Sequence, residues 1–359
     1  MKKIVSLLLT VTLLTGSGCG SASPADARNN VSAASFTDAG QNGDHALSGM
    51  HLNILGSYHE DMVRRLAEMF ETESGCTVSY LRIPTGEGVA KLTAEKENPT
   101  FNVYIGGTVD AHESLKYQGI LAAYHSPVEN ELPAEYIDPD GVWKAQYLET
   151  LSIGVNTERW ENEYPGEKIP TTLQDLLNPA LRGEIITPDP STSGTGYTFL
   201  SSVLQLMGTE EGWKYIRAFN EQVGQYTTSG YTAAEKVGLG EYLICVNFLA
   251  DQLIVNISGY PLKSTVYEGA GWSICPVSIV SGSEKNIAAQ KFVDFCISKR
   301  ALDALVELAN CVAVRDDCIA PQDGSRLSEL NVNHHYSPIK AAADKADILK
   351  RFSVLVDDE

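Results

Sequence analysis

From His51 onward the chain alternates short apolar runs with amphipathic segments. HLNILGS is an apolar run closing in a turn. It is followed by SYHEDMVRRLAEMFETESG, where Met62, Leu66, Met69 and Phe70 fall at helical spacing and Gly75 supplies a stop. Ser57 and Glu60 have the spacing of a capping box at the start of that helix. CTVSYLRI predicts a strand and GVAKLTAEKEN a helix. FNVYI predicts a strand ending in Gly106-Gly107-Thr108, and DAHESLKYQG the helix after it. Strands and helices in strict alternation predict an α/β fold with a largely parallel sheet.

Two extended runs interrupt this alternation. LETLSIGVNT and WSICPVSIV can each carry the chain from one lobe to another. Between them, TTLQDLLNPALRGEIITPDP predicts helix, turn and strand. YTFLSSVLQLMG places Leu200, Val203, Leu204 and Met207 on one helical face, and TEEGWKYIRAFN is a further helix with Thr209 at its cap. TAAEKVGLG predicts a short helix and YLICVNFL a buried strand. The runs NIAAQKFVDFCISKRALDALVELA and SPIKAAADKADILKRFSVLV are helical, and no internal repeat is visible. Two α/β lobes joined by two crossings fit this order better than one continuous sheet. The expected division is residues 50–151 for the first part of lobe 1, 152–272 for lobe 2, and 273–359 for the return crossing and the rest of lobe 1.

The N-terminus follows another pattern. Lys2 and Lys3 precede an apolar core from Ile4 to Leu14, shorter than the roughly 20 residues a span needs, and small residues lead to Cys19. This is the layout of an exported chain, with residues 1–18 as signal peptide. Cys19 resembles the lipidated cysteine of bacterial lipoproteins, although Gly16 stands where that pattern prefers Leu. Residues 20–49, rich in Ser, Ala, Asn, Asp and Gly without apolar period, read as a tether, so that 19–49 form a lipid-anchored flexible segment. The net charge of −19 argues against nucleic acid and anionic membrane surfaces as partners. Beyond Cys19 the six cysteines form no C-x-x-C. A disulfide between Cys311 and Cys318 is open at this point.

Loops at the carboxyl ends of strands are where open α/β sheets bind ligands. Here they are Gly56-Ser57-Tyr58, Gly106-Gly107-Thr108, Ser191 to Gly196 and Thr227-Thr228-Ser229, all built from Gly, Ser, Thr or Tyr. Unpaired amides at a helix start, hydroxyl donors and glycines that permit close approach together bind phosphate, phosphonate or carboxylate without a formal positive charge. An ordinary cap and turn is the competing account of STSGTGY, but the run is longer than a cap needs. It lacks the G-K-[ST] of a Walker loop. The sequence contains no G-x-S-x-G and no H-E-x-x-H. SPIK has no K-T-G partner, and His334-His335 is a weak metal signal. No enzyme and no cofactor are expected.

The order FNVYIGGT, LSIGVNTERW, GEIITPDPSTSGTGYTFL, GWKYIRAFNEQVGQYTTSG and GEYLICVNF resembles the extracytoplasmic solute-binding proteins of ABC importers, in their ferric-iron-type cluster. That resemblance implies a two-lobed periplasmic-binding-protein fold of type II with a ligand cleft between the lobes. It implies capture of a small anionic solute, a phosphorylated compound or phosphonate, and delivery to an ABC permease and its ATPase subunit. A monomer, anchored outside the cytoplasmic membrane by its lipid, is expected. Iron-binding members use adjacent tyrosines after GE; here the segment reads GEYLICVNFLADQ, and no Tyr-Tyr pair occurs in the chain. A ferric-iron receptor is therefore the alternative, and an enzyme or signalling co-receptor on the same fold a more distant one. The candidate ligand-binding residues are Ser57, Tyr58, Gly107, Thr108, Ser191, Ser193, Gly194, Thr195, Thr228, Ser229 and Asn247. No metal ligands are assigned.

Overall fold

A computed structural model describes residues 46–321, 326, 329 and 331–357. The signal peptide, Cys19 and all but the last four residues of the expected tether lie outside the described residues. In chain order the first elements are β1 (His51–Gly56), α1 (Glu60–Ser74), β2 (Thr77–Arg82), α2 (Thr85–Ala94), β3 (Val103–Ile105), α3 (Val109–Tyr117) and β4 (Leu121–Ala122). Strand β1 pairs in parallel with β2 on one side and with β3 on the other, so the predicted alternation holds through this region.

The 14-residue strand β5 (Trp143–Asn156) is buried along its whole length. After it come α4 (Thr157–Glu163), β6 (Ile185–Pro188), α5 (Gly194–Met207), α6 (Thr209–Asn220), β7 (Val223–Thr227), α7 (Gly230–Gly238), β8 (Ile244–Phe248), α8 (Leu249–Ile257), β9 (Leu262–Thr265) and β10 (Trp272–Val280). Up to Thr150, β5 pairs antiparallel with β10; from Leu151 it pairs antiparallel with β8 and β9. One strand thus belongs to two sheets. The order β2-β1-β3-β10-β5-β8-β6-β7 runs unbroken through it. The chain ends with α9 (Ile287–Cys296), α10 (Lys299–Ala309), β11 (Val312–Ala313) and α11 (Pro338–Asp357).

Two separate apolar cores flank the crossing. Leu148 belongs to the first, with Leu52, Ile54, Leu66, Phe70 and Phe292; Leu151 belongs to the second, with Ile153, Leu200, Val203, Trp213 and Val246. Burying one such Leu or Phe contributes about 1.5–3 kcal/mol, so each half holds its own shape. Glu149 and Thr150 lie between the two cores, where the chain passes from one half to the other.

Several details differ from the sequence expectation, among them the helix expected ahead of β6, where the chain forms only the short 3-10 turns Asp175–Leu177 and Pro179–Leu181. Helix α1 is capped at His59, and Ser57 makes no capping bond. Buried Tyr58 separates Ser57 from the helix, too far upstream to reach its free amides. Gly208, not Thr209, precedes α6. Helix α11 sends Phe352 and Leu355 into the second core, while Lys345 Nζ reaches Asp110 of α3 at 2.6 Å. Cys311 and Cys318 are free thiols. Among the described residues no helix is long and apolar enough to cross a membrane.

Candidate functional site

The residues that precede α1, α2, α3, α5, α7 and α8 are His59, Pro84, Thr108, Ser193, Ser229 and Phe248. All six line one cavity between the two halves. Each helix start presents amides without an intrahelical partner and the equivalent of about half a positive charge. Their convergence makes this an anion-attracting cavity inside an acidic protein.

Two hydroxyls there are not used as caps: Thr108 and Ser193 occupy cap positions but make no side-chain capping bond. Thr108 is 2% exposed, and its Oγ1 has no hydrogen-bond partner. Ser193 and Thr195 are buried at the cavity wall. Ser229 does cap its helix, accepting from the Thr232 amide at 3.4 Å, and Thr228 is exposed at the rim.

Glycines make the closeness possible. A Cβ on Gly194 would stand 2.3 Å from Thr108 Oγ1, and one on Gly196 would stand 2.3 Å from the Pro188 carbonyl. Gly194 lets the two halves meet; Gly196 lets α5 start directly against β6. Gly106 and Gly107 turn with φ of 73° and 72°, in the left-handed region. The Gly106 carbonyl accepts from His112 Nε2 at 2.9 Å, and His112 Nδ1 accepts from Ser278 at 2.8 Å. Burial lowers His112 to about 4, which keeps the ring neutral as it holds this turn.

Of the residues singled out from sequence, Ser57, Tyr58, Gly107, Thr108, Ser193, Thr195, Thr228 and Ser229 line the cavity. Ser57 Oγ accepts from Tyr104 at 3.3 Å, whereas the Tyr58 hydroxyl donates to Gln146, turned away from the cavity. Ser191 is exposed and bonds Asp189 through its amide and hydroxyl at 2.7 and 2.6 Å, forming a turn outside the lining. Asn247 is fully buried one layer back, donating to the Gly230 carbonyl at 3.0 Å and accepting from Gln252 at 2.8 Å. Gly194 contributes its position rather than a side chain.

Sequence reasoning missed Arg82, Glu149 and Asp251, which also line the cavity. Arg82 Nε donates to the Tyr58 carbonyl at 2.7 Å, which leaves the rest of its guanidinium free to act as a cation. Asp251 sits in the first turn of α8, where burial raises it to about 7 against the pull of Arg82. Glu149 is 8% exposed and its Oε2 has no hydrogen-bond partner. Burial, then repulsion from Asp251, pushes it well above the usual carboxylate range. The available signal was positional: Arg82 ends β2, and Asp251 follows β8 by three residues.

Residues 98–328 match the family described as bacterial extracellular solute-binding protein. A Haemophilus influenzae (strain ATCC 51907 / DSM 11121 / KW20 / Rd) protein described as uncharacterized is 32% identical over 263 residues, 70% of this chain and 76% of that one. The structure of the periplasmic binding protein AfuA from Actinobacillus pleuropneumoniae, with exogenous fructose-6-phosphate bound, is 30% identical with a TM-score of 0.82. It covers 86% of this chain and 99% of that one. Iron-bound HitA from Pseudomonas aeruginosa, at 18% identity and a TM-score of 0.74 over 84% and 99% of the two chains, shares the fold.

Proposed function

Because the chain belongs to the bacterial extracellular solute-binding protein family, we propose that it is the solute receptor of an ABC importer and captures a small solute through a phosphate or phosphonate group. The observation that carries this reading is the convergence of six helix starts on one cavity, with the Thr108 hydroxyl unpartnered among them. Oxyanions are held by such amides and hydroxyls without a countercharge. Ser193, Gly194 and Thr195 grip the anion from one lobe; Gly107 and Thr108 approach from the other, and Thr228 and Ser229 from a neighbouring loop. The lobes are residues 50–151 with 273–359, and residues 152–272, with α11 also packing Phe352 and Leu355 into the second core. Bending at the crossings in β5 and β10 opens and closes them around the solute.

The mature receptor is a monomer held outside the cytoplasmic membrane by a lipid on Cys19. Cys19→Ala releases it from membranes, and an unmodified cysteine in membrane-extracted protein would refute the anchor.

Ferric iron fits the site less well. The Tyr58 hydroxyl is already bonded to Gln146, and burial pushes the Tyr58 and Tyr147 phenols well above their ordinary value, against the phenolate form that ferric iron takes. A thermal-shift panel of fructose-6-phosphate, other phosphate esters, phosphonates, ferric citrate and thiamine tests the assignment, since a ligand of the folded state raises the melting temperature. Phosphate esters or phosphonates are expected to do so. A stoichiometric coloured complex with ferric citrate would support the iron reading.

A further inference from the structure

Two carboxyl groups share the cavity with the anion-binding helix starts. Glu149 stands on β5 between the two cores, and Asp251 stands on the first turn of α8. A hydroxyl-lined anion site gains nothing from carboxylates, which repel the same ligand. Their presence calls for another ligand group. Arg82 is the one cation among the lining residues, and its Nε is engaged by the Tyr58 carbonyl. Arg82 acts on Asp251, and no cation among the lining residues is set against Glu149. Glu149 Oε2 also lacks any donor although the residue is more than nine-tenths buried. An unpaired buried oxygen of this kind is unfavourable, and more so when the group is charged.

We propose that Glu149 and Asp251 form a subsite for a protonated amine, and that the solute is a phosphate ester or phosphonate carrying an ammonium group on its carbon skeleton. The inference rests on the phosphoryl-binding reading above and extends it to the organic part of the solute. Asp251 accepts from Asn247 and Glu149 from Tyr147, but Glu149 Oε2 stays without a donor; an ammonium supplies that donor together with a positive charge, whereas a hydroxyl supplies a single donor and no charge. Burial raises both carboxyls above their ordinary range, and Asp251 adds repulsion at Glu149, so two bare carboxylates are unfavourable in the empty cavity. A cation between them removes that repulsion. The six helix starts hold the other end of the same molecule, so the cavity is complementary to a zwitterion rather than to a plain anion.

The test is a matched pair of probes that differ only by amine against hydroxyl: glucosamine-6-phosphate and glucose-6-phosphate, titrated calorimetrically into the full mature chain. The wild type is expected to bind the amino form at least about tenfold more tightly, the scale of one hydrogen bond to a charged group. Glu149→Gln, and separately Asp251→Asn, are expected to reduce that ratio to less than about threefold. Equal affinity, or preference for the hydroxyl form, in the wild type overturns the amine subsite while leaving phosphoryl binding standing. Binding of neither probe, with no response to any phosphate ester or phosphonate, overturns both. A preference that survives in both variants assigns the amine to other residues and also refutes the proposal.

Discussion

The amide of Gly86 donates to the carbonyl of Thr192 at 2.8 Å. Gly86 lies on α2, in the half built on β1 to β3, and Thr192 lies in the loop ahead of α5 in the other half. Their bond links the two halves beside the cavity. A Cβ on Gly86 would come within 2.6 Å of the Ser191 carbonyl and 2.8 Å of Thr192 Cα, both backbone atoms that cannot rotate away. Gly86→Ala should therefore keep the halves apart without disturbing either core. Small-angle scattering with saturating solute should show a larger radius for the variant than for the wild type. Affinity should fall at least about tenfold, because the closed state is no longer freely populated. Equal radii and equal affinity would show that closure does not run through this contact.

Thr195 tests the hydroxyl wall. It is buried in the first turn of α5, beside Gly230, and caps nothing. A hydrogen bond to a charged group is worth roughly 1.5–3 kcal/mol, so Thr195→Ala should weaken binding by about ten- to a hundredfold. The unliganded melting temperature should change little. A large loss of stability with unaltered affinity would make Thr195 a packing residue.

The pH dependence of stability carries the mark of Asp251. Its carboxyl is raised from an ordinary 3.8 to about 7 by burial. Between those values the folded protein keeps a proton that the unfolded chain has released. Its contribution to stability therefore falls as pH rises from about 4 to about 7 and is level above. Glu149 acts in the same direction. His112, lowered from 6.5 to about 4, acts oppositely, since its contribution is lost as pH falls through that interval. The wild-type curve alone mixes these effects, so the useful quantity is the difference in melting temperature between wild type and Asp251→Asn. That difference should decline from pH 4 to 7 and then level. A difference independent of pH would show that Asp251 is not a strained carboxyl.

The elements and the anion cup were legible in the sequence because both are local signals. Apolar spacing located α1 and α5, and two extended apolar runs located the strands β5 and β10. The hydroxyl-rich loops lie at strand ends, where the α/β topology brings them together. Ser57 was misjudged as a cap because spacing cannot show that Tyr58 is drawn into the core first. Ser191 and Asn247 share the composition of the cup, but one turns outward on Asp189 and the other supports Gly230 from behind. The distinction depends on backbone direction, which composition does not carry. Arg82, Glu149 and Asp251 come from β2, β5 and α8, and only the packing of both halves makes them neighbours.

The central claim is that the loop from Ser191 to Gly196 is an anion cup, and Gly194→Asp tests it most directly. The substitution puts a carboxylate at the start of α5, where its Cβ would already press on Thr108 in the closed arrangement. Calorimetry with the strongest phosphate ester or phosphonate from the thermal-shift panel should give a clear isotherm for the wild type. It should give none for Gly194→Asp, while the unliganded melting temperature of the variant stays close to that of the wild type. Unchanged affinity in Gly194→Asp would contradict the account and reduce the loop to a turn.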